Sequence, residues 1–237
     1  MINQKRFLKL VTSTLVIGFL GGILLNRIND YTTKVDLPPE KVISKLNEIP
    51  VFAIWEKQNA VVKRVFISQS EAKRYVKRFN SNIESSSKVE VFPAGLGNIY
   101  KLEIIKQNKN HINNFDYVPE KKAINLAKTI LEDEGQEYKN GIPLFVIREK
   151  DNKSYLSIVT NSFSIIPVFF EKEQLYNFLV EIEKQHLDLT DNLDVEVVFL
   201  DELIKLLETK DNSFSEKLTL IPSKETQIFM DQTDFSI

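Results

Sequence analysis

The chain has 237 residues, 43% hydrophobic and 27% charged, the proportions of a globular protein rather than a disordered one. Cysteine is absent, which excludes disulfides, thiolate metal sites and thiol nucleophiles together. The net charge of −2 hides a division: residues 37–110 carry 13 Lys/Arg against seven Asp/Glu, and residues 111–237 carry 13 against 24.

The first element is the run Phe7 to Leu25, 19 residues whose one charge is Lys9. As a helix it would span ~28 Å, close to the hydrocarbon thickness of a bilayer. Lys5, Arg6 and Lys9 stand at its amino-terminal end, which keeps that end in the cytoplasm or its organellar equivalent. The run therefore predicts an uncleaved single-pass anchor. A cleaved signal peptide would need an A-x-A-like pair after the run, and none follows. A core helix would rarely be apolar on every side. Residues 1–36 are thus read as anchor and tether, with Pro38-Pro39 ending the tether.

Residues 37–118 form a first αβ repeat. Glu40 to Asn47 predicts a short amphipathic helix, Val51 to Trp55 a strand, and Ala60 to Ile67 its hairpin partner across Glu56-Lys57-Gln58-Asn59. Ser68 and Glu71 are spaced as a capping box. The helix they open carries Ala72, Tyr75, Val76 and Phe79 on one stripe and Lys73, Arg74, Lys77 and Arg78 on the other. Val89 to Phe92 is a further strand, followed by a short helix around Ile99 and Tyr100. Residues 119–135 predict a connector helix, opened by Pro119 and with Gly135 just beyond its end. Residues 136–225 repeat the order. The first hairpin pairs Leu144–Arg148 with Tyr155–Val159, Ile165 to Phe170 runs apolar, and a helix carries Leu175, Phe178, Leu179 and Ile182. A strand at Asp194–Phe199 and a closing helix follow. Residues 226–237 read as a frayed tail.

The two halves share landmarks. Ile49-Pro50-Val51-Phe52 returns as Ile142-Pro143-Leu144-Phe145, and Leu96 to Leu102 returns as Leu200 to Leu206. The expected fold class is α+β: two pseudo-symmetric repeats, largely antiparallel sheets with helices packed on one face, plus an amino-terminal transmembrane helix.

Catalytic chemistry finds few candidates. The two histidines, His111 and His186, have no second ligand at helical spacing. No nucleophile elbow, zinc-helix, Walker A or dinucleotide fingerprint is present, and seven glycines are too few for a phosphate cradle. The expectation is no enzyme, no catalytic, metal or cofactor-binding residue, and no cofactor. An enzyme would need two carboxylates converging in one cleft with perturbed pKa values. Lys73, Arg74, Lys77 and Arg78 are a candidate basic contact for an acidic partner or anionic lipid. Nucleic acid is not expected from a chain with few interleaved aromatics and a pI of 5.9. Phe52, Trp55, Phe145 and Phe169 are the candidate lining of an apolar recognition groove, with core packing as the alternative.

The chain resembles the Tic-twenty-two-like proteins, components of chloroplast protein import with cyanobacterial relatives and a plastid-encoded reading frame of red-lineage algae. The resemblance covers about residues 40–225. It rests on Ile49-Pro-Val-Phe52, Phe115-Asp-Tyr-Val-Pro119, Ile166-Pro-Val-Phe-Phe-Glu-Lys-Glu-Gln-Leu175, Val195 to Ile204 and Leu220-Ile-Pro222. It implies a chaperone-like component of plastid protein import that engages unfolded precursors and other translocon components. Import relatives carry cleavable presequences; here the Phe7 to Leu25 run takes that place. The implied location is a plastid membrane, with the soluble part in the intermembrane space or thylakoid lumen. The alternative is a structural scaffold in which the basic half of one copy meets the acidic half of another, so a homodimer is compatible with the sequence.

Overall fold

The computed structural model describes residues 16–20, 40–56, 61–81, 88–108, 115–159, 163–208 and 213–233. In chain order its elements are β1 (Val16–Leu20), α1 (Glu40–Asn47), β2 (Pro50–Glu56), β3 (Val61–Phe66), α2 (Gln69–Ser81), β4 (Val89–Gly95), α3 (Leu96–Asn108), β5 (Asp116–Val118) and α4 (Lys121–Asp133). Then come β6 (Pro143–Glu149), β7 (Tyr155–Val159), β8 (Ser164–Phe169), α5 (Lys172–Gln185), α6 (Leu187–Thr190), β9 (Leu193–Phe199), α7 (Leu200–Glu208), α8 (Ser213–Lys217), β10 (Leu218–Ile221) and α9 (Lys224–Thr233). The fold is mixed α+β.

Two sheets result. One has four strands in the order β4-β2-β3-β5. The other has six, and its heart is β9-β6-β8-β10, the same order with the same directions. The registers agree residue for residue. Pro50 faces Gly95 and Glu56 faces Val89; in the other sheet Pro143 faces Phe199 and Glu149 faces Leu193. Phe52 faces Phe66 and Phe66 faces Val118, as Phe145 faces Phe169 and Phe169 faces Ile221. A one-residue slip would turn every side chain over, so equal registers mean equal faces. In both sheets the short last strand is parallel to its neighbour and all other pairings are antiparallel.

Chain order and compact units do not coincide. The four-stranded unit takes in residues of 32–124, 140–142 and 222–237; the six-stranded unit takes in 125–139 and 143–221 together with β1. Helix α4 follows the last strand of the first sheet but belongs mostly to the six-stranded unit. Helix α9 follows the last strand of the second sheet and belongs to the four-stranded unit. Residues 224–233 are therefore an ordered helix rather than a frayed tail. The Phe229 ring stands edge-on to Phe52 at 5.3 Å, part of the core of Phe52, Ile54, Phe66, Ala72 and Val89.

The four-stranded sheet carries helices on both faces, not one. Phe52 faces α2, where Tyr75, Val76 and Phe79 meet it. Ala53, the next residue, points the opposite way, beside Ile99 and Leu102 of α3. The sequence already required this: β2 is apolar at consecutive positions and buried from Pro50 to Ile54, which one covered face cannot achieve.

The amino-terminal reading needs a correction. Val16–Leu20, the middle of the apolar run, is a strand antiparallel to β7, with Val16 opposite Val159 and Leu20 opposite Tyr155. Among the described residues no helix is long and apolar enough to cross a membrane. Apolarity favours a bilayer and a sheet edge alike, and β-branched Val16 and Ile17 with Phe19 suit a strand. The rest of the Phe7 to Leu25 run lies outside the described residues, as do the tether and His111. The hairpin expected between β6 and β7 is also slight. The two pair only at Arg148 and Tyr155, after which β7 runs beside β8.

Local signals decide the helix ends. Gly135 has φ +71°, and Gln136 donates from its amide to Leu131 O at 2.7 Å, a left-handed cap that ends α4. The capping box at α2 is half made. Glu71 N donates to Ser68 Oγ at 3.3 Å, but the Glu71 carboxylate accepts from Lys121 N instead. Glu225 of α9 completes the cap, accepting from Ser68 Oγ and from Ser70 N, each at 2.7 Å. At Gly97 a β carbon would collide with the backbone carbonyl of Ile43 and lie 2.7 Å from Asn47 Oδ1, the atom that accepts from Asn98 N. Helices α1 and α3 touch through that gap. Gly97→Ala is expected to cost about 1–3 kcal/mol by overpacking, read as a lower urea midpoint at unchanged m. A midpoint equal to that of the wild type would show that the two helices separate without cost.

Candidate functional site

An open apolar cleft of ≈ 310 Å³ lies on the α3 side of the four-stranded sheet. Its floor is small: Ala53, Ala94 and Gly95. Trp55 and Phe92 form one wall, their ring centroids 6.5 Å apart and tilted by 42°. Ile99 and Leu102 of α3 form the other. Phe92 is 57% exposed and Leu102 44%, large apolar groups a folded chain ordinarily covers. Among the described residues Asn98 is the one polar side chain in the lining.

The sequence produces this shape locally. The register of β2 against β3 shifts between Ile54 and Trp55, a bulge beside the indole. Helix α3 starts directly after β4 with no loop. It is apolar around most of its circumference (Leu96, Ile99, Tyr100, Leu102, Ile104), so one side stays uncovered after packing. Tyr117 Oη donates to Glu103 Oε2 at 2.9 Å and Phe115 N donates to Glu103 Oε1 at 3.0 Å, which fixes α3 against β5. Burial, then the charge and hydrogen bond of Glu103, hold the Tyr117 hydroxyl well above the usual tyrosine pKa. β4 is an edge strand and contains Pro93, which discourages a further strand from adding there.

The six-stranded unit fills the same position. By register, Trp55 corresponds to Arg148, Phe92 to Glu196, Ala53 to Val146, Ala94 to Val198 and Gly95 to Phe199. Larger side chains occupy the floor and an ion cluster replaces the aromatic pair. Arg148 reaches Glu134 at 2.7 Å, Asp194 at 3.2 Å and Glu196 at 3.4 Å, while Tyr155 Oη donates to Glu196 at 2.8 Å. Glu196 is 6% exposed. Burial outweighs Tyr155 and Arg148 and raises its pKa. Burial would lower the Arg148 pKa, but the three carboxylates outweigh it and the net shift is upward. These carboxylates converge on a guanidinium rather than on a cleft, the arrangement of a structural ion network. Among the described residues no group of three His, Asp or Glu is arranged to hold a metal ion.

Of the four aromatics expected in a groove, three are core. Phe52 and Phe145 are fully buried, and Phe169 is 1% exposed with its ring 5.5 Å from Phe178. Phe145 and Phe169 belong to the six-stranded unit and Trp55 to the four-stranded one. Trp55 alone lines the cleft. Phe52 and Trp55 are three residues apart on one strand and point to opposite faces. Phe92 and Leu102, the exposed members, were not singled out by the sequence reading. The signal was the run of small residues Ala53, Ala94 and Gly95 where the second copy has Val146, Val198 and Phe199. Lys73, Arg74, Lys77 and Arg78 are all exposed on α2, across the sheet from the cleft. Arg74 makes an exposed contact with Glu71 at 3.7 Å.

The fold is similar to that of a Tic22 from Anabaena described as a protein-transport protein, with a TM-score of 0.66 at 18% identity over 81% of this chain and 96% of that one. A Tic22 from Plasmodium falciparum is similar at a TM-score of 0.62 and 18% identity, covering 81% and 97%. Among curated proteins no sequence matches. The model of the Tic22-like family matches residues 26–232, and the chain belongs to that family.

Proposed function

We propose that this protein is a chaperone-like component of protein import in plastids. In this reading it binds apolar segments of unfolded precursors in the Trp55–Phe92–Leu102 cleft and catalyses no reaction. The observation that carries it is the asymmetry between matching positions: one unit sets an ion cluster around the buried Glu196 where the other leaves the Phe92 ring exposed beside a half-buried Trp55. A cleft whose described lining is apolar apart from Asn98 grips apolar side chains without selecting a sequence. That suits many unrelated clients. Family membership and the protein-transport description of the Anabaena relative support the transport context. The location that goes with it is a plastid membrane, with translocon components as neighbours. The exposed basic face of α2 suits anionic lipid or an acidic partner.

The test uses carboxymethylated α-lactalbumin, which is permanently unfolded, against the native form. Phe92→Ser with Leu102→Ser is expected to weaken binding of the unfolded form about tenfold or more. Thermal stability should change little, because both side chains are already exposed. Binding that survives this pair unchanged places the client elsewhere.

A further inference from the structure

Helices α2 and α5 occupy matching places. Phe66 and Phe169 hold the same register position, and each helix begins three residues further on. Their inner faces agree: Tyr75 lies on Phe66 at 5.4 Å as Phe178 lies on Phe169 at 5.5 Å. Their outer faces do not. Where α2 carries Lys73 and Lys77, α5 carries Tyr176 and Val180, 47% and 46% exposed. Leu187, just past the end of α5, is 71% exposed. Lysines at such positions are at ease in water, whereas a tyrosine ring and a valine one turn apart gain by being covered.

The surrounding charge identifies the cover. Residues 172–191 carry Glu173, Glu181, Glu183, Asp188 and Asp191 against Lys172 and Lys184, a net of −3. These carboxylates repel an anionic membrane. Residues 69–81 of α2 carry Lys73, Arg74, Lys77 and Arg78 against Glu71, a net of +3. All four cations are exposed. Among the described residues Arg74 pairs with Glu71 at 3.7 Å, while Lys73, Lys77 and Arg78 reach no carboxylate. Lysine and arginine stems are apolar, so such a helix can cover a tyrosine and a valine while its charges meet the acidic flank. The Tyr176 ring already draws a cation, with Lys172 Nζ 5.3 Å from its centre.

We propose that the Tyr176–Val180 face of α5 is a docking site for the basic face of α2 on a second copy of this chain. Two different surfaces meet, so the contact is heterologous and each docked pair still offers one face of each kind to further copies. One helix against one helix is a small contact, and the association is accordingly weak and sensitive to salt. The proposal goes beyond the client-binding reading and uses none of the cleft residues.

The test is sedimentation velocity of the full chain at low and high salt, with two double variants. Tyr176→Gln with Val180→Gln removes the apolar patch at unchanged charge. Lys73→Glu with Lys77→Glu reverses the basic face. All four positions are exposed, so folding should change little, which circular dichroism checks. The wild type is expected to form dimers and larger species at low salt, and association should weaken about tenfold or more at high salt. Each double variant alone should stay monomeric. Mixed, the two should form a dimer and nothing larger, because one supplies α2, the other supplies α5, and no working face is left over. A wild type that is monomeric at low salt overturns the proposal, as does association that survives either double variant. If the wild type stays monomeric yet floats with phosphatidylglycerol vesicles, and Lys73→Glu with Lys77→Glu abolishes flotation, the basic face belongs to lipid and the proposal falls. Phe92→Ser with Leu102→Ser should leave self-association intact. Its loss would move the contact to the cleft and overturn the α5 site, while client binding keeps its own test.

Discussion

Arg148→Met is expected to cost about 3–5 kcal/mol of folding stability, because it leaves the buried Glu196 carboxylate without its cation. The geometry sets the size. The guanidinium is 14% exposed and lies within 3.4 Å of Glu134, Asp194 and Glu196; Glu134 and Asp194, 28% and 38% exposed, can turn to water, and Glu196 cannot. The deepest of the three, Glu196, then keeps the Tyr155 hydroxyl as a hydrogen-bond donor. Adding Glu196→Gln keeps an acceptor for Tyr155 and removes the deepest charge. The double variant should recover about 1–3 kcal/mol of the loss, a coupling that a double-mutant cycle in urea reads directly. Additive costs would mean the two groups do not interact. Glu196 also fixes a sign for pH. Its pKa is raised in the folded chain, so the native state holds the proton more tightly than the unfolded state. The stability it contributes is present at low pH and is lost as pH rises from the ordinary carboxylate range through the raised value. Glu196→Gln should flatten that part of the stability–pH curve, and an unchanged slope would assign the slope to other groups.

Phe169→Ala is the second large effect, about 3–5 kcal/mol. The ring is 1% exposed, opposes Phe145 across the strand pair and packs on Phe178. Its removal leaves a cavity that strand neighbours on both sides cannot close. For a chain of this size the melting temperature should fall by on the order of 10 °C. At temperatures where the variant remains folded, binding of unfolded α-lactalbumin should match the wild type, because Phe169 lines no surface. A specific loss of binding at full stability would restore Phe169 to the client site.

That pairing shows what periodicity can and cannot say. The recurrence of Ile-Pro-Val-Phe as Ile-Pro-Leu-Phe marks β2 and β6, and Leu96 and Leu200 mark the helices that follow β4 and β9. These motifs were legible because each serves its own strand or helix. Which face Phe52 takes was not legible, since β2 is apolar on both sides and alternation gives no sign when every residue is buried. The ordered carboxy-terminal helix escaped for another reason. Phe229 joins a core whose other members lie more than a hundred residues earlier, a contact with no local trace. The amino-terminal run escaped because a bilayer and a strand edge ask for the same apolar residues. The cleft itself was readable only as an absence of bulk. Ala53, Ala94 and Gly95 are unremarkable alone and become a groove once the other copy shows what fills it.

The most direct measurement places a benzophenone-bearing phenylalanine at position 92 and, as control, at position 205 on α7, the helix in the six-stranded unit that matches α3. Exposure to ultraviolet light with carboxymethylated α-lactalbumin should give adducts from position 92 and almost none from position 205, and native α-lactalbumin should give none from either. Equal labelling from both positions, or labelling confined to position 205, would contradict the assignment of client contact to the open aromatic cleft.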